Sequence, residues 1–364
     1  MTANRPAAPA IDEAEHGGAD ATTLAACGVT AGHVVDLSTN VLPIEHPSAV
    51  REAIAAAVLD GGMLAGYPDR DAGTLRTLLA SFHGVAEDRV LVTSGCCEAI
   101  HLVAATLVQP GDRALLLGPT FAEYARGVQL AGGRVAEVRA TAEDDYSLPV
   151  DAIEAHFAHE TCGTVWLCNP NNPTSRSIEP AVLADWIARH PAVTFVVDES
   201  YIEFARTAQT LIADDLPNVV VLRSMTKCYA LAGMRLGYVV APPNVIARVR
   251  SRRVPWTVSS LAELAGCVTL AHHPVYAAAI DELLVRRDRL VAELRARNWW
   301  PVVSDAGYLL MPCGDAAGFR RHLLRRGVVV RDATSFGLPG HVRVAVGTTD
   351  GVARFLDALP QPSG

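Results

Sequence analysis

The sequence predicts an α/β protein: a large domain built on a mostly parallel β-sheet covered by helices, followed by a smaller α+β domain. Three observations carry this reading. Short β-branched or apolar runs of strand length recur along the chain, as in strands buried on both faces. Segments of helical period lie between them. Polar or glycine-containing clusters follow directly after the runs, where an open parallel sheet places its ligands.

Taken in order, residues 1–34 are rich in alanine and glycine with little periodicity, and read as a mobile arm with a short helix. "HPSAVREAIAAAVLDGG" from His46 is helical and closes on a glycine pair, a common stop signal. "DAGTLRTLLASFHG" is a second helix. Six strand candidates follow: "RVLVTSG", "DRALLLGP", "GRVAEVRA", "TVWLCNP", "TFVVDES" and "NVVVLRS". Residues 242–290 turn long and helical, and the remainder mixes strands ("GYLLMPC", "VVVRD", "HVRVAVG") with helices ("AAGFRRHLLRRG", "TDGVARFLDAL"). The expected division is an arm at 1–45, a large domain at 46–245 and a small domain at 246–364 completed by the arm.

Composition narrows the function. The 364 residues are 50% apolar with a net charge of -8 and no basic stripe, which argues against nucleic acid as a partner. The longest apolar runs are of strand length, so no membrane span is expected. The N-terminus lacks a charged-then-apolar signal pattern, and a cytoplasmic location is expected. The eight cysteines, scattered from Cys27 to Cys313 with no CxxC pair, predict neither a metal site nor a disulfide framework. No GxGxxG follows the first strand, which disfavours a nicotinamide dehydrogenase. A regulator built on a DNA-binding module is disfavoured too, since few residues precede the large domain and only one of them is arginine.

The 31 basic residues are thirty arginines and one lysine, Lys227, in "SMTKCYALAGMR" after a strand. Arginine carries surface charge everywhere else, so this position keeps an amine for a reason other than charge. A desolvated amine at a strand end has a lowered pKa and can act as a nucleophile. Asp198 ends "TFVVD", where a carboxylate is costly unless it has a cationic partner. A single chemistry accounts for both residues: a lysine Schiff base to an aldehyde cofactor, pyridoxal 5'-phosphate (PLP), whose ring nitrogen is kept protonated by the carboxylate. Ser224, Arg235 and the backbone N–H groups of Gly95, Cys96 and Cys97 at a helix start are candidates for its phosphate.

"CNPNNPTS", "VVDESYIEF" and "SMTKCYALAGMRLGYVV" resemble the class I/II aminotransferase superfamily of fold-type I PLP enzymes, over almost the whole chain from His16 onward. The resemblance implies that Lys227 carries the cofactor, that Asn172 and Tyr201 bond its phenolic oxygen, that Asp198 pairs with its ring nitrogen and that Phe121 stacks on the ring. It implies a homodimer with shared active sites, Tyr67 reaching the neighbouring subunit's cofactor phosphate, and an amino-acid substrate whose carboxylate meets Arg343. Two branches lie nearest, the histidinol-phosphate aminotransferases and the threonine-phosphate decarboxylases. "EHGG", "VDLSTNVLP" and "PTFAEYARG" are similar to the decarboxylase branch, which would pair Arg331 with Arg343 as anion-binding residues and close His16 and Asn40 over the substrate. The expectation is therefore an L-threonine-O-3-phosphate decarboxylase, with an aminotransferase of the histidinol-phosphate type, or a PLP enzyme of specialised metabolism, as the alternative. Departures from the family pattern are Ser175 in place of a glycine, Tyr201 where the decarboxylase carries Phe, and the pair Cys96–Cys97 in the phosphate loop.

Overall fold

The computed structural model describes Gly18, Leu24 and residues 34–361 apart from Asp215. Most of the arm expected at the N-terminus, His16 included, lies outside the described residues. Two sheets organise the rest. The larger has seven strands: β2 (Val90–Thr93), β3 (Arg113–Gly118), β4 (Arg134–Arg139), β5 (Thr164–Cys168), β6 (Thr194–Asp198), β7 (Val219–Ser224) and β8 (Gly237–Val240). Their spatial order is β2-β8-β7-β6-β5-β3-β4. All neighbours are parallel except at β8, which runs antiparallel to both β2 and β7. β5 reads TVWLC and is buried throughout, as a strand covered on both faces must be.

The smaller sheet joins β1 (Val35–Leu37) in parallel to β10 (Val328–Asp332), then antiparallel β11 (His341–Ala345) and β9 (Tyr308–Pro312). The segment before the large domain thus completes the C-terminal sheet.

The longer helices are α1 (Ser48–Asp60), α2 (Gly73–His83), α3 (Gly95–Leu107), α4 (Ala122–Leu130), α5 (Val150–His159), α6 (Pro180–Arg189), α7 (Pro243–Arg252), α8 (Ser260–Ala271), α9 (His273–Ala296), α10 (Ala316–Leu324) and α11 (Thr349–Ala358). Side-chain caps set several of their starts. Ser259 accepts from Ala262 N at 3.1 Å, Asp315 from Gly318 N at 3.0 Å and Thr348 from Gly351 N at 3.1 Å. α7 packs on α3, and α8 on α1 and α2, so the chain from 243 to 271 stays with the large sheet before α9 leads to the small one. Trp166, Phe195 and Trp186 are fully buried between the large sheet and its helices. Each such side chain contributes roughly 2–3 kcal/mol by leaving water. That rigid layer fixes the carboxyl ends of β5, β6 and β7. Among the described residues no helix is long and apolar enough to cross a membrane.

Candidate active site

Those strand ends open into a cavity of about 330 Å³. Lys227 reaches it from a single helical turn, Met225–Cys228, directly after β7. Ser224 caps that turn: its Oγ accepts from Thr226 N at 3.3 Å and lies 2.6 Å from Thr226 Oγ1. The Lys227 carbonyl accepts from Leu42 N at 3.0 Å, which ties the segment after β1 over the lysine. The amine can be reached from the cavity yet sits deep inside the protein. Burial, helped by the positive charges of Arg343 and Arg235, brings its pKa from the usual 10.5 down to about 8.

Asp198 is only 4% exposed. Its Oδ1 accepts from Ser200 N at 2.8 Å, and its Oδ2 from the Tyr124 hydroxyl at 2.7 Å and Cys96 Sγ at 3.4 Å. Among the described residues, then, its hydrogen-bond partners are neutral donors, and a buried carboxylate in a cavity wall still lacks a cation. A protonated pyridine nitrogen answers that need. Burial pushes the Cys96 and Cys97 thiols up, so both are held as thiols and neither is poised as a nucleophile.

An anion cradle lies beside them. Gly95 opens α3 with a φ of +82°, and a Cβ there would come 2.9 Å from Arg235 Nη2. On β8 a Cβ at Gly237 would come 2.7 Å from the Gly95 carbonyl carbon and 2.8 Å from Cys96 N. The two glycines let the start of α3 rest directly on β8. The positive end of the helix is thereby set beside Ser224, Thr226 and Arg235, a donor set suited to a phosphate. With Asp198 and Lys227, these residues fit PLP.

The small sheet supplies the opposite wall. Arg343 on β11 and Arg331 on β10 occupy paired register positions. Arg343 is buried, donates through Nη1 to Asn172 Oδ1 at 2.5 Å and through Nη2 to the Ser38 carbonyl at 2.6 Å, and lies 5.7 Å from the centre of the Tyr308 ring. Its Nε is buried with no hydrogen-bond partner among the described residues. Arg331 donates to Ser335 Oγ at 2.6 Å and lies 5.7 Å from the Phe336 ring centre. Asn40 donates to the Tyr201 hydroxyl at 3.3 Å, and its Oδ1 is buried without a partner among the described residues. Burial raises the Tyr201 hydroxyl well above its ordinary pKa, so it remains a protonated donor.

Of the residues singled out from sequence, Asn40, Cys96, Cys97, Phe121, Asn172, Asp198, Tyr201, Ser224, Lys227, Arg235, Arg331 and Arg343 line this one cavity. Gly95 sits at its edge. Tyr67 does not line it; it is 84% exposed with its ring centre 4.8 Å from that of Trp256. Sequence reasoning missed Ser38, Tyr124, Thr226 and Phe336, all in the lining. Tyr124 had a readable signal, since it follows Phe121 by three residues at the start of a helix and so shares its face. Ser175, which stands where the family pattern has glycine, has a φ of +57°, in the left-handed region that glycine favours, and its side chain is buried.

A family model described as aminotransferase class I and II matches residues 32–359. The chain is 34% identical over 334 residues to the histidinol-phosphate aminotransferase of Paenarthrobacter aurescens (strain TC1), covering 89% of this chain and 87% of that one. It is 36% identical over 337 residues to the histidinol-phosphate aminotransferase of Symbiobacterium thermophilum, covering 91% of each. Among solved structures, it matches the L-threonine-O-3-phosphate decarboxylase of Porphyromonas gingivalis with a TM-score of 0.79 at 28% identity, covering 89% of this chain and 98% of that one.

Proposed function

We propose, from the premise that this chain belongs to the aminotransferase class I and II family and is PLP-dependent, that it transfers an amino group from a phosphorylated amino compound of the histidinol-phosphate type to a 2-oxo acid. The observation that carries this reading is its likeness, along nine-tenths of its length, to histidinol-phosphate aminotransferases. The decarboxylase, expected first from sequence, is matched as a neighbour in structure, so the alternative reading takes its place. The lysine, the carboxylate and the cradle serve either reading, so the choice between the branches rests on likeness along the whole chain rather than on those residues.

When bound, PLP supplies the electron sink that lets a bond break at the amine-bearing carbon of the substrate. The residues of the chain do the rest. Lys227, with a pKa of about 8, is neutral in roughly a tenth of molecules at pH 7, which suits it to attack a carbonyl and to carry a proton to and from that carbon. Asp198 holds the positive charge on the ring nitrogen, and the hydroxyl of Tyr201 and the amide of Asn172 serve the phenolic oxygen. Phe121 covers the ring. Ser224, Thr226, Arg235 and the N–H groups at Gly95–Cys97 hold the phosphate. Arg343 and Arg331, with Asn40 beside them, take the substrate's anion: the phosphate ester of the amino donor in one half-reaction, the carboxylate of the oxo acid in the other. The enzyme is proposed to act as a homodimer.

The test is a product assay with L-histidinol phosphate or L-threonine O-3-phosphate, each with and without a 2-oxo acid. Amino transfer from histidinol phosphate that requires the oxo acid is expected, and Lys227→Ala should abolish it. CO₂ release from threonine phosphate without an acceptor would overturn the reading.

A further inference from the structure

The segment that carries Asp198 and Tyr201 reads Asp198-Glu199-Ser200-Tyr201-Ile202-Glu203. Its two glutamates point away from the cofactor cavity and meet on a single guanidinium. Arg223 donates from Nη1 to Glu199 Oε2 at 2.8 Å and from Nη2 to Glu203 Oε1. Arg223 and Glu199 are withdrawn from water, at 5% and 1% exposure, and Glu203 is partly buried.

Strand alternation accounts for the arrangement. Asp198 stands opposite Leu222 in the β6–β7 ladder, and Glu199 N donates to the Leu222 carbonyl at 2.8 Å. Successive side chains face opposite sides of a sheet. Asp198 and Ser224 therefore share the cavity face, while Glu199 and Arg223 share the reverse face. Glu199 also accepts from Thr210 Oγ1 at 2.6 Å and Leu211 N at 2.8 Å, so its carboxylate is fully engaged. Tyr238, opposite Arg223 on β8, and Cys228, at the end of the lysine's turn, complete the surroundings of the cluster. Burying one cation and two carboxylates is expensive, and apolar side chains of similar size would hold the two strands as well or better. The fork does something apolar packing does not: it fixes the direction and spacing of two chain segments at once.

We propose that Arg223 is a positioning residue for the reaction, a two-armed clamp that sets Asp198 and Tyr201 on one strand end against Ser224 and Lys227 on the next. The inference rests on the assignment of those four residues to the cofactor. Glu199 fixes the near end of the Asp198–Tyr201 segment and Glu203 the far end, so both arms are needed to hold the turn between them.

The variants Arg223→Lys and Glu203→Gln test this in the PLP-loaded enzyme. Lysine keeps the charge but, as a point donor, does not span two carboxylates in fork geometry. Both variants should fold, with a kcat about tenfold lower and a PLP half-saturation about tenfold higher, the scale expected of small misplacements in a site. The pH midpoint of the cofactor's visible absorption should shift in both, while the KM for the amino donor stays near wild type because Arg343 and Arg331 are untouched. A folded Arg223→Lys enzyme with wild-type kcat and midpoint would overturn the clamp. If Arg223→Lys does not fold, Glu203→Gln decides by the same readouts, since it takes the charge from one arm at the less buried side of the cluster. Lys227→Ala is the control for the underlying assignment: retention of the pH-dependent band there would sink the site reading rather than the clamp.

Discussion

At the scale of the residue, Lys227 pays for its chemistry in stability. An amine whose folded pKa has dropped from 10.5 to about 8 is one that the folded protein holds less readily in its charged form than the unfolded chain does. Below pH 8 the lysine is charged in both states and the full desolvation cost is borne. Between about 8 and 10.5 the folded protein releases the proton first and the cost fades, and above that range the amine is neutral in both states. Lys227→Met, measured without cofactor, should therefore be more stable than the parent at pH 7 by about 1–3 kcal/mol, with the gap closing as pH rises towards 10.5. Denaturant midpoints of the two proteins from pH 7 to 10 check this. A gap that does not change with pH, or a parent more stable than the variant, would contradict it. This residue is legible in the sequence because a lone lysine among arginines, placed at a strand end, is there for its amine and not for its charge. Phe336, in "RDATSFGLPG", is not, because nothing in that stretch shows that the fold brings it to the cavity.

At the scale of the element, the contact between α3 and β8 decides whether a phosphate can be held. Gly237 stands opposite Ser224 in the β7–β8 ladder and beneath the first residues of α3. Nothing there can give way, because the atoms that a Cβ would strike are backbone atoms of Gly95, Cys96 and Arg223. Gly237→Ala should lift the start of α3 off the strand, lower stability by about 1–3 kcal/mol and weaken PLP binding at least about tenfold. An absorbance titration with PLP beside a thermal melt measures both, and an unchanged affinity would show that the helix start plays no part in the cradle. The strands that run parallel are readable from their apolar runs and the helices between them. β8, in "LGYVV", is not among the six strand candidates of the large domain. Direction is not encoded in an apolar run, and β8 follows β7 after a short connection that gives no sign of the reversal. β1 escapes for a different reason: at three residues it is too short to display a period, and its partner β10 lies almost the whole chain away.

At the scale of the whole molecule, the surface near Tyr67 asks for a partner. Leu59, Leu64, Tyr67, Val254 and Trp256 are exposed large apolar side chains, and Tyr67 and Trp256 bring the two stretches together through their rings. A monomer rarely leaves such a surface open to water, and in a two-fold dimer the same patch of each copy would cover the other. We propose that a second copy of the chain covers it and that Tyr67, which does not line its own cavity, completes the cradle of its neighbour. Sharing of this kind has a consequence that a closed, self-sufficient subunit does not. Lys227→Ala and Tyr67→Ala should each be nearly inactive, one for want of the amine and the other for want of the phosphate contact. In a mixed dimer, however, the subunit carrying Tyr67→Ala keeps its own Lys227 and receives an intact Tyr67 from the other. One of the two sites is then whole. Random reassociation makes about half of the dimers mixed, so recovery of about a quarter of wild-type activity is expected after the two variants are unfolded together and refolded. Sedimentation at twice the chain mass with no recovery on mixing would mean that the dimer forms but each cavity is served by its own chain. A sedimenting monomer with full activity would remove the second copy from the mechanism altogether.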